Sequence, residues 1–358
     1  MDLIRTVAII MVLMYHALTE PIIESQLTLT QYSVVWLSQT TYESIVIIGV
    51  PLFVMLSGAL LLQPAKVTEP IKIFFKKRLA RIGLAFVFWS AIYFVWSYFA
   101  DHTAVTLNYV IKTLLNGGAY YQFWFIYLIV GLYLITPVLR ILVAYADKKI
   151  LRYFIVLWFI GVGLLPLFQL ITGFSLNSNV FVLSGYVGYF ILGVYLIGGQ
   201  VKTGTLKWLW AAAIVWTFIG TWLMTFQFHA LNQYYFFFYT TSANVIVSTA
   251  VVFMLLSKAP RDWPGSSHPR LSRLVHTISV NTLPIFFLHV IVLESINRGY
   301  FYLFKISLTN ISFLGFNLTL SFLNPIFEIP LATAVTLFIS LGLVLLMKKV
   351  PVLNKLIG

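Results

Sequence analysis

The chain has 358 residues, of which 60% are hydrophobic and 9% charged, against roughly 25% charged in an ordinary soluble domain. That balance excludes a soluble globular protein and reads as a polytopic membrane protein. The absence of cysteine excludes structural disulfides, thiolate metal sites and a thiol nucleophile, and the net charge of +13 is spread in a way that argues for membrane topology and against nucleic acid.

Apolar runs recur at roughly 4–22, 43–63, 78–100, 121–142, 151–171, 180–199, 206–227, 236–257, 276–297 and 327–347. Crossing a hydrocarbon core of about 30 Å takes about 20 apolar residues, so the expectation is an all-α bundle of about ten transmembrane spans. The first run shows neither a charged leader nor a small-residue cleavage site and reads as a retained span. With both termini in the cytoplasm, all but three of the 23 basic residues fall on cytoplasmic segments, the exceptions being Lys112, Arg298 and Lys305. This satisfies the positive-inside rule throughout. No hydrophilic stretch is long enough for a separate domain, so residues 1–358 are expected to form one membrane domain. The segment 19–42 carries Glu20 and Glu24 without a basic residue, and the mixed aromatic stretch 299–326 holds the tripeptides Asn310-Ile-Ser and Asn317-Leu-Thr, a weak glycosylation pattern.

Ionisable side chains inside spans are costly, which makes them functional candidates. In the first run, Arg5 and His16 are eleven residues apart. Eleven steps of about 100° return a helix to nearly the same azimuth, so the two groups share a face roughly 16 Å apart. Taken alone, Arg5 reads as a snorkelling residue and His16 as a packed histidine. Together they suggest an anion held at the cytoplasmic end and a proton handled deeper in. In the second run, Ser57 and Gly58 read as a close helix contact in preference to a nucleophilic serine. At the start of the third, Lys77, Arg78 and Arg81 cluster on one turn, either for topology and lipid contact or for binding phosphate oxygens. Trp124 and Tyr127 in the fourth read as an aromatic belt or as site lining. In the ninth, Pro284 is expected to free backbone groups and bend the helix near His289, with Glu294 about 140° further round. No cluster shows metal-ligand spacing, and no metal is expected.

In this order, D-L-I-R-x-x-A…H (Asp2 to His16), P-L-F-x-x-x-S-G (Pro51 to Gly58), K-R-x-x-R (Lys77 to Arg81), F-W-F-x-Y-x-x-x-G-L-Y-L-x-x-P (Phe123 to Pro137) and L-P-I-F-F-L-H (Leu283 to His289) resemble the acyltransferase-3 family of membrane acyltransferases. The similarity is greatest to the small single-domain branch that O-acetylates surface glycans such as enterobacterial common antigen. It departs from the family pattern in having Lys77 where arginine is common, and in lacking the glutamate of the larger members' W-S-L-x-x-E segment at Trp124 to Ile129. The resemblance implies transfer of an acyl group from cytoplasmic acyl-CoA, usually acetyl-CoA, to a hydroxyl of a cell-surface or lipid-linked glycan in a prokaryotic plasma membrane. His16 would then be the catalytic base or acyl acceptor. Arg5, Lys77, Arg78 and Arg81 would bind the donor, and Ser57, Trp124, Tyr127, His289 and Glu294 would line the site. Two rival readings are a flippase or transporter for a lipid-linked sugar, which would usually show internal repeats that this chain lacks, and a membrane sensor with a degenerate site.

Overall fold

A computed structural model describes residues 1–19, 34–174, 185–228, 231–260, 263, 265, 268–297, 311–313, 316–318 and 325–358. Glu20, Glu24, Arg261, Arg298, Lys305 and Asn310 lie outside the described residues, as does most of the stretch 299–326.

The described residues are helical nearly throughout. Helix α1 spans Asp2–Thr19, α2 Val34–Val46, α3 Gly49–Leu61, α4 Ile71–Ala100, α5 Leu107–Asn116 and α6 Trp124–Tyr145. Then follow α7 (Lys148–Phe159), α8 (Leu165–Thr172), α9 (Gly185–Leu196), α10 (Thr203–Trp222), α11 (Ala243–Ser257), α12 (Pro269–Val280) and α13 (Thr282–Asn297). After a two-stranded antiparallel hairpin, β1 (Ile311–Phe313) with β2 (Phe316–Leu318), the chain closes with α14 (Pro325–Met347) and α15 (Pro351–Leu356). Asn317 of the second tripeptide lies in β2.

Local chemistry sets several of the boundaries. The Thr106 hydroxyl accepts from the Tyr109 backbone N–H, and the Asp147 carboxylate accepts from that of Ile150, so α5 and α7 begin on side-chain caps. Pro269 and Pro351 open their helices at positions where a missing N–H costs nothing.

Among the described residues each of the ten apolar runs overlaps a helix, but the runs do not all make full spans. Among the described residues, seven stretches are long and apolar enough to cross a membrane: Trp36–Leu61, Ile71–Ala100, Tyr121–Tyr145, Lys148–Thr172, Thr203–Gln227, Tyr235–Ser257 and Ile326–Met347. Within the described part of the run at 180–199, the helix covers the 12 residues Gly185–Leu196. The run at 276–297 is broken, with α12 and α13 meeting at 83°; counted as one span, the pair makes an eighth.

That break lies at Asn281, not where Pro284 was expected to bend the chain. Pro284 occupies the first turn of α13, where its missing N–H is not needed and its fixed φ favours starting a helix. Asn281 is buried, and its amide donates to the Thr277 carbonyl at 2.7 Å, so the interruption is held by side-chain bonding at the end of α12.

Helix α1 lies at the centre and packs against α2, α3, α12, α13 and α14. Its tie to α12 is polar: the Thr6 hydroxyl donates to the Val275 carbonyl at 2.9 Å, and the Asp2 carboxylate meets His276 Nδ1 at 2.8 Å and accepts from Ser279 at 2.9 Å. These contacts fix which way α1 faces. The expected close contact at Gly58 is present: a Cβ there would lie 1.8 Å from the Phe190 carbonyl oxygen, and one at Gly193 would lie 1.9 Å from that of Met55. Helices α3 and α9 therefore touch backbone to backbone, which only small residues permit.

Candidate functional site

Near the C-terminal end of α1, the His16 ring lies 5.1 Å from that of His289, 5.3 Å from Tyr121 and 5.8 Å from Tyr15, centroid to centroid. His289 is completely buried. Its Nδ1 is 2.6 Å from the Phe286 carbonyl oxygen. A carbonyl can only accept, so the neutral ring carries its proton on Nδ1 and a lone pair on Nε2. That Nε2 has no hydrogen-bond partner among the described residues. Helix α4 helps to hold α13 in place, since the Tyr93 hydroxyl donates to the Phe287 carbonyl at 2.6 Å and Trp89 stacks on the Phe287 ring at 5.9 Å.

His16 opens onto a cavity of about 170 Å³, also walled by Tyr15, Gln122, Trp124, Thr240 and Phe286. Beyond it, at the far end of α4, lies a wider cleft of about 540 Å³ bounded by Asp101, Tyr109, Lys112, Asn116, Tyr121 and Trp124. Trp124 borders both voids, and Tyr121 borders the cleft while touching the His16 ring. The turn that brings these residues here needs glycine: Gly117 and Gly118 have φ of 144° and 110°, values that L side chains rarely adopt.

The remaining proposed lining residues are placed elsewhere. Glu294 accepts from Trp96 Nε1 at 2.7 Å and from the Tyr120 hydroxyl at 2.6 Å, which engages its carboxylate with α4 and the turn before α6. The Tyr127 hydroxyl donates to the Leu114 carbonyl, pinning α6 to α5. Ser57 lies on α3 beside the glycine contact with α9. Neither Tyr127 nor Ser57 borders the His16 cavity.

The opposite end of the bundle is basic. Arg140 of α6 is 3% exposed and pairs with Glu69 at 2.9 Å, while its Nε donates to the Leu61 carbonyl at 2.8 Å. The Arg140 and Arg78 guanidinium groups lie over the Phe74 ring at 4.6 and 4.9 Å. Partial burial would raise the Glu69 carboxyl, but Arg140, with Arg78 and Lys77 behind it, outweighs this and holds it below its ordinary value. Burial, then Arg78 and Arg140, push the Lys66 ammonium down, and burial with Arg81 does the same to Lys348. Beyond burial, the cations that lower these two lysines place them among like charges. Lys77, Arg78 and Arg81 thus converge with Lys66, Arg140 and Lys348. Arg5 pairs instead with Asp2 at 3.6 Å, in the polar knot between α1 and α12. Beside that knot a cavity of about 620 Å³ is bordered by Asp2, Gln63, Trp263 and His276.

A histidine pair at one end, and a cationic cluster at the other, is an arrangement chemically suited to moving a group from an anionic carrier to a neutral nucleophile. Residues 1–345 match the family model described as an acyltransferase domain. The chain belongs to the acyltransferase-3 family. It is accordingly a multi-pass membrane acyltransferase. No curated protein and no solved structure shows a comparable match.

Two residues of this acyltransferase were not singled out by the sequence. Arg140 lies three residues after Pro137 in an apolar helix that continues to Tyr145, and the cost of an intramembrane charge marks it. Glu69 carries no comparable mark, because its importance comes from Arg140, distant in sequence.

Proposed function

We propose that this acyltransferase is an O-acetyltransferase of the small glycan-modifying branch, taking its acyl group from acetyl-CoA at the basic mouth and delivering it to a saccharide hydroxyl beside His16. The observation that carries the reading is the separation of the two sites. Along α4, Arg78 and Asp101 are 23 residues apart, roughly 35 Å on a helix rising 1.5 Å per residue. The basic mouth suits the phosphates and nucleotide of CoA, and the distant cleft suits a sugar. Trp124 is 42% and Tyr121 47% exposed, and both border the cleft, as do the polar residues Asp101, Lys112 and Asn116.

In this mechanism Arg78 and Arg81, supported by Lys77, hold the donor phosphates in charge-assisted and forked hydrogen bonds. Arg5 guides the pantetheine arm along α1. The thioester reaches the His16 cavity, where a sugar hydroxyl enters from the cleft past Tyr121 and Trp124. Neutral His16 accepts the hydroxyl proton as the oxygen attacks the thioester carbon. His289, its proton held on Nδ1 by the Phe286 carbonyl, packs its ring beside that of His16. When the C–S bond breaks, the proton passes from His16 to the departing thiolate, so the imidazole ends as it began.

The test is to supply labelled acetyl-CoA to membranes containing the protein and recover the glycan fraction for mass spectrometry. Wild type should give acetylated glycan. His16→Ala should lower transfer by about 10²- to 10⁴-fold, the usual worth of a general base, with CoA affinity unchanged. Full activity in that variant refutes the role of His16, and absence of labelled glycan from wild type refutes the acceptor class.

A further inference from the structure

Helix α5 joins the ends of two spans, α4 and α6, and its ten residues carry two different faces. Leu107, Ile111 and Leu115 follow one another at i, i+4 and i+8, and they are 77%, 49% and 79% exposed. Tyr109, Lys112, Thr113 and Asn116 recur at i, i+3, i+4 and i+7, and all four border the cleft of about 540 Å³. On a helix these are two separate stripes. Contacts near both ends of α5 set its level. The Tyr109 ring lies 6.2 Å from Phe94, which precedes the end of α4 by six residues, and the Leu114 carbonyl accepts from Tyr127, three residues into α6. At a rise of 1.5 Å per residue these points are roughly 9 and 5 Å inside the ends of the spans. Helix α5 is thus held across the two spans and does not stand above them. The 30 residues of α4 measure about 45 Å, the thickness of a bilayer with its headgroups. A helix braced about 9 Å inside that length lies where headgroups meet acyl chains, the depth at which an amphipathic helix buries its apolar stripe.

Lys112 marks the border between the stripes, about 60° round the helix from Leu115. It is one of the three basic residues that the charge pattern leaves off the cytoplasmic segments. The cleft also borders Asp101, yet Lys112 forms no ion pair with it or with any other carboxylate among the described residues. A lysine at the edge of an inserted stripe lays its stem along the apolar surface and holds its ammonium at the level of lipid phosphates.

We propose that the acceptor enters this cleft as a saccharide carried on a membrane lipid through a phosphate, with α5 seated among the headgroups and Lys112 paired to the linking phosphate. The inference rests on the cleft being the acceptor site, as given above, and it selects the lipid-linked class of acceptor over the free glycan. Because α5 keeps the cleft at headgroup depth, the sugar reaches Tyr121 and Trp124 while the tail of its carrier stays in the bilayer. The bonds to phosphorus are neither made nor broken. The acceptor oxygen bonds to the acetyl carbon, the C–S bond breaks, and the hydroxyl proton passes by way of His16 to the departing thiolate. Lys112 therefore binds the acceptor and takes no part in the transfer itself.

The experiment has a placement arm and a kinetic arm, both on the full chain in lipid nanodiscs. The protein has no cysteine, so Leu107→Cys and Asn116→Cys each take a single nitroxide label, on opposite sides of α5. The label at 107 should be relaxed chiefly by oxygen, which concentrates in the bilayer, and the label at 116 by a water-soluble nickel chelate. Equal access of the chelate to both puts α5 in water and overturns the inference. The kinetic arm supplies labelled acetyl-CoA and two acceptors: the lipid-phosphate-linked saccharides extracted from the native membranes, and the same material after mild acid has cleaved the sugar–phosphate bond. Wild type should favour the intact form by about tenfold or more in kcat/KM. Lys112→Gln should raise the KM for the intact form about tenfold, the usual worth of one hydrogen bond to a charged group, with kcat and Tm close to wild type. Lys112→Arg keeps the charge and should restore most of the preference. Unchanged KM in Lys112→Gln means that the ammonium meets only water or bulk headgroups, and it overturns the phosphate contact. Equal or faster turnover of the released sugar overturns the lipid-carried acceptor and leaves the acetyltransfer reading standing, whereas acetylation of neither form overturns both.

Discussion

Replacing Glu69 by glutamine keeps the shape of the side chain but removes the carboxylate that faces the Arg140 guanidinium at 2.9 Å. Breaking a fully buried ion pair by removing one partner costs about 3–5 kcal/mol, because the remaining charge is stranded. Arg140 is 3% exposed but the Glu69 side chain is 20% exposed, and the Leu61 carbonyl and Phe74 ring still contact Arg140. The expected loss is therefore at the lower end, about 3 kcal/mol, or roughly 6 °C in Tm at about 2 °C per kcal/mol for a chain of this size. Tryptophan fluorescence during heating of the purified protein in nanodiscs gives the comparison. The sign with pH follows from the lowered Glu69 carboxyl. Its folded value lies below its ordinary 4.5, so the pair contributes fully above that value and its contribution is lost as pH falls through the folded value. The gap between wild type and Glu69→Gln should be constant near neutral pH and close in acid. A gap under about 2 °C at neutral pH, less than 1 kcal/mol on the same scale, or one that widens in acid, refutes the reasoning.

Gly58→Ala should be among the most damaging single-methyl changes in the protein, because the added carbon meets the Phe190 carbonyl oxygen at 1.8 Å and backbone cannot rotate aside; about 3 kcal/mol or more is expected, at the upper end of overpacking costs. Gly83→Ala, where nothing lies within 4 Å, is the matched control, and equal Tm values for the two variants would contradict the close packing of α3 on α9. Arg78→Ala and Arg81→Ala should each weaken acetyl-CoA binding roughly tenfold or more, since hydrogen bonds to charged groups contribute about 1.5–3 kcal/mol; unchanged affinity by titration removes either residue from the donor site.

How much of this was legible in the sequence depends on whether a residue is conspicuous by itself. His16 and the Lys77, Arg78 and Arg81 cluster stood out because charge and imidazole are expensive inside apolar runs, and the positions of the helices followed from the same runs. Arg140 carried the same signal but was obscured by the loop charges after it. The position of the break in the ninth run was not legible, since Pro284 looked like its cause and the chain uses the proline to begin α13 while Asn281 ends α12. Nor was Gln122, two residues before Trp124: an uncharged residue there is unremarkable until the folded chain shows it in the wall of the cavity beside His16. Glu69 gains meaning only from Arg140, seventy-one positions later in the chain.

Helix α4 runs unbroken from the cationic mouth to the aromatic cleft, and this gives the molecule two doorways. On the function proposed above, a bulky carrier would dock, discharge and withdraw through the first while a saccharide came and went through the second, so neither substrate would have to vacate the other's route. Only the acyl group, together with the slender arm that bears it, would have to thread the protein, and the bundle would stay sealed against anything wider.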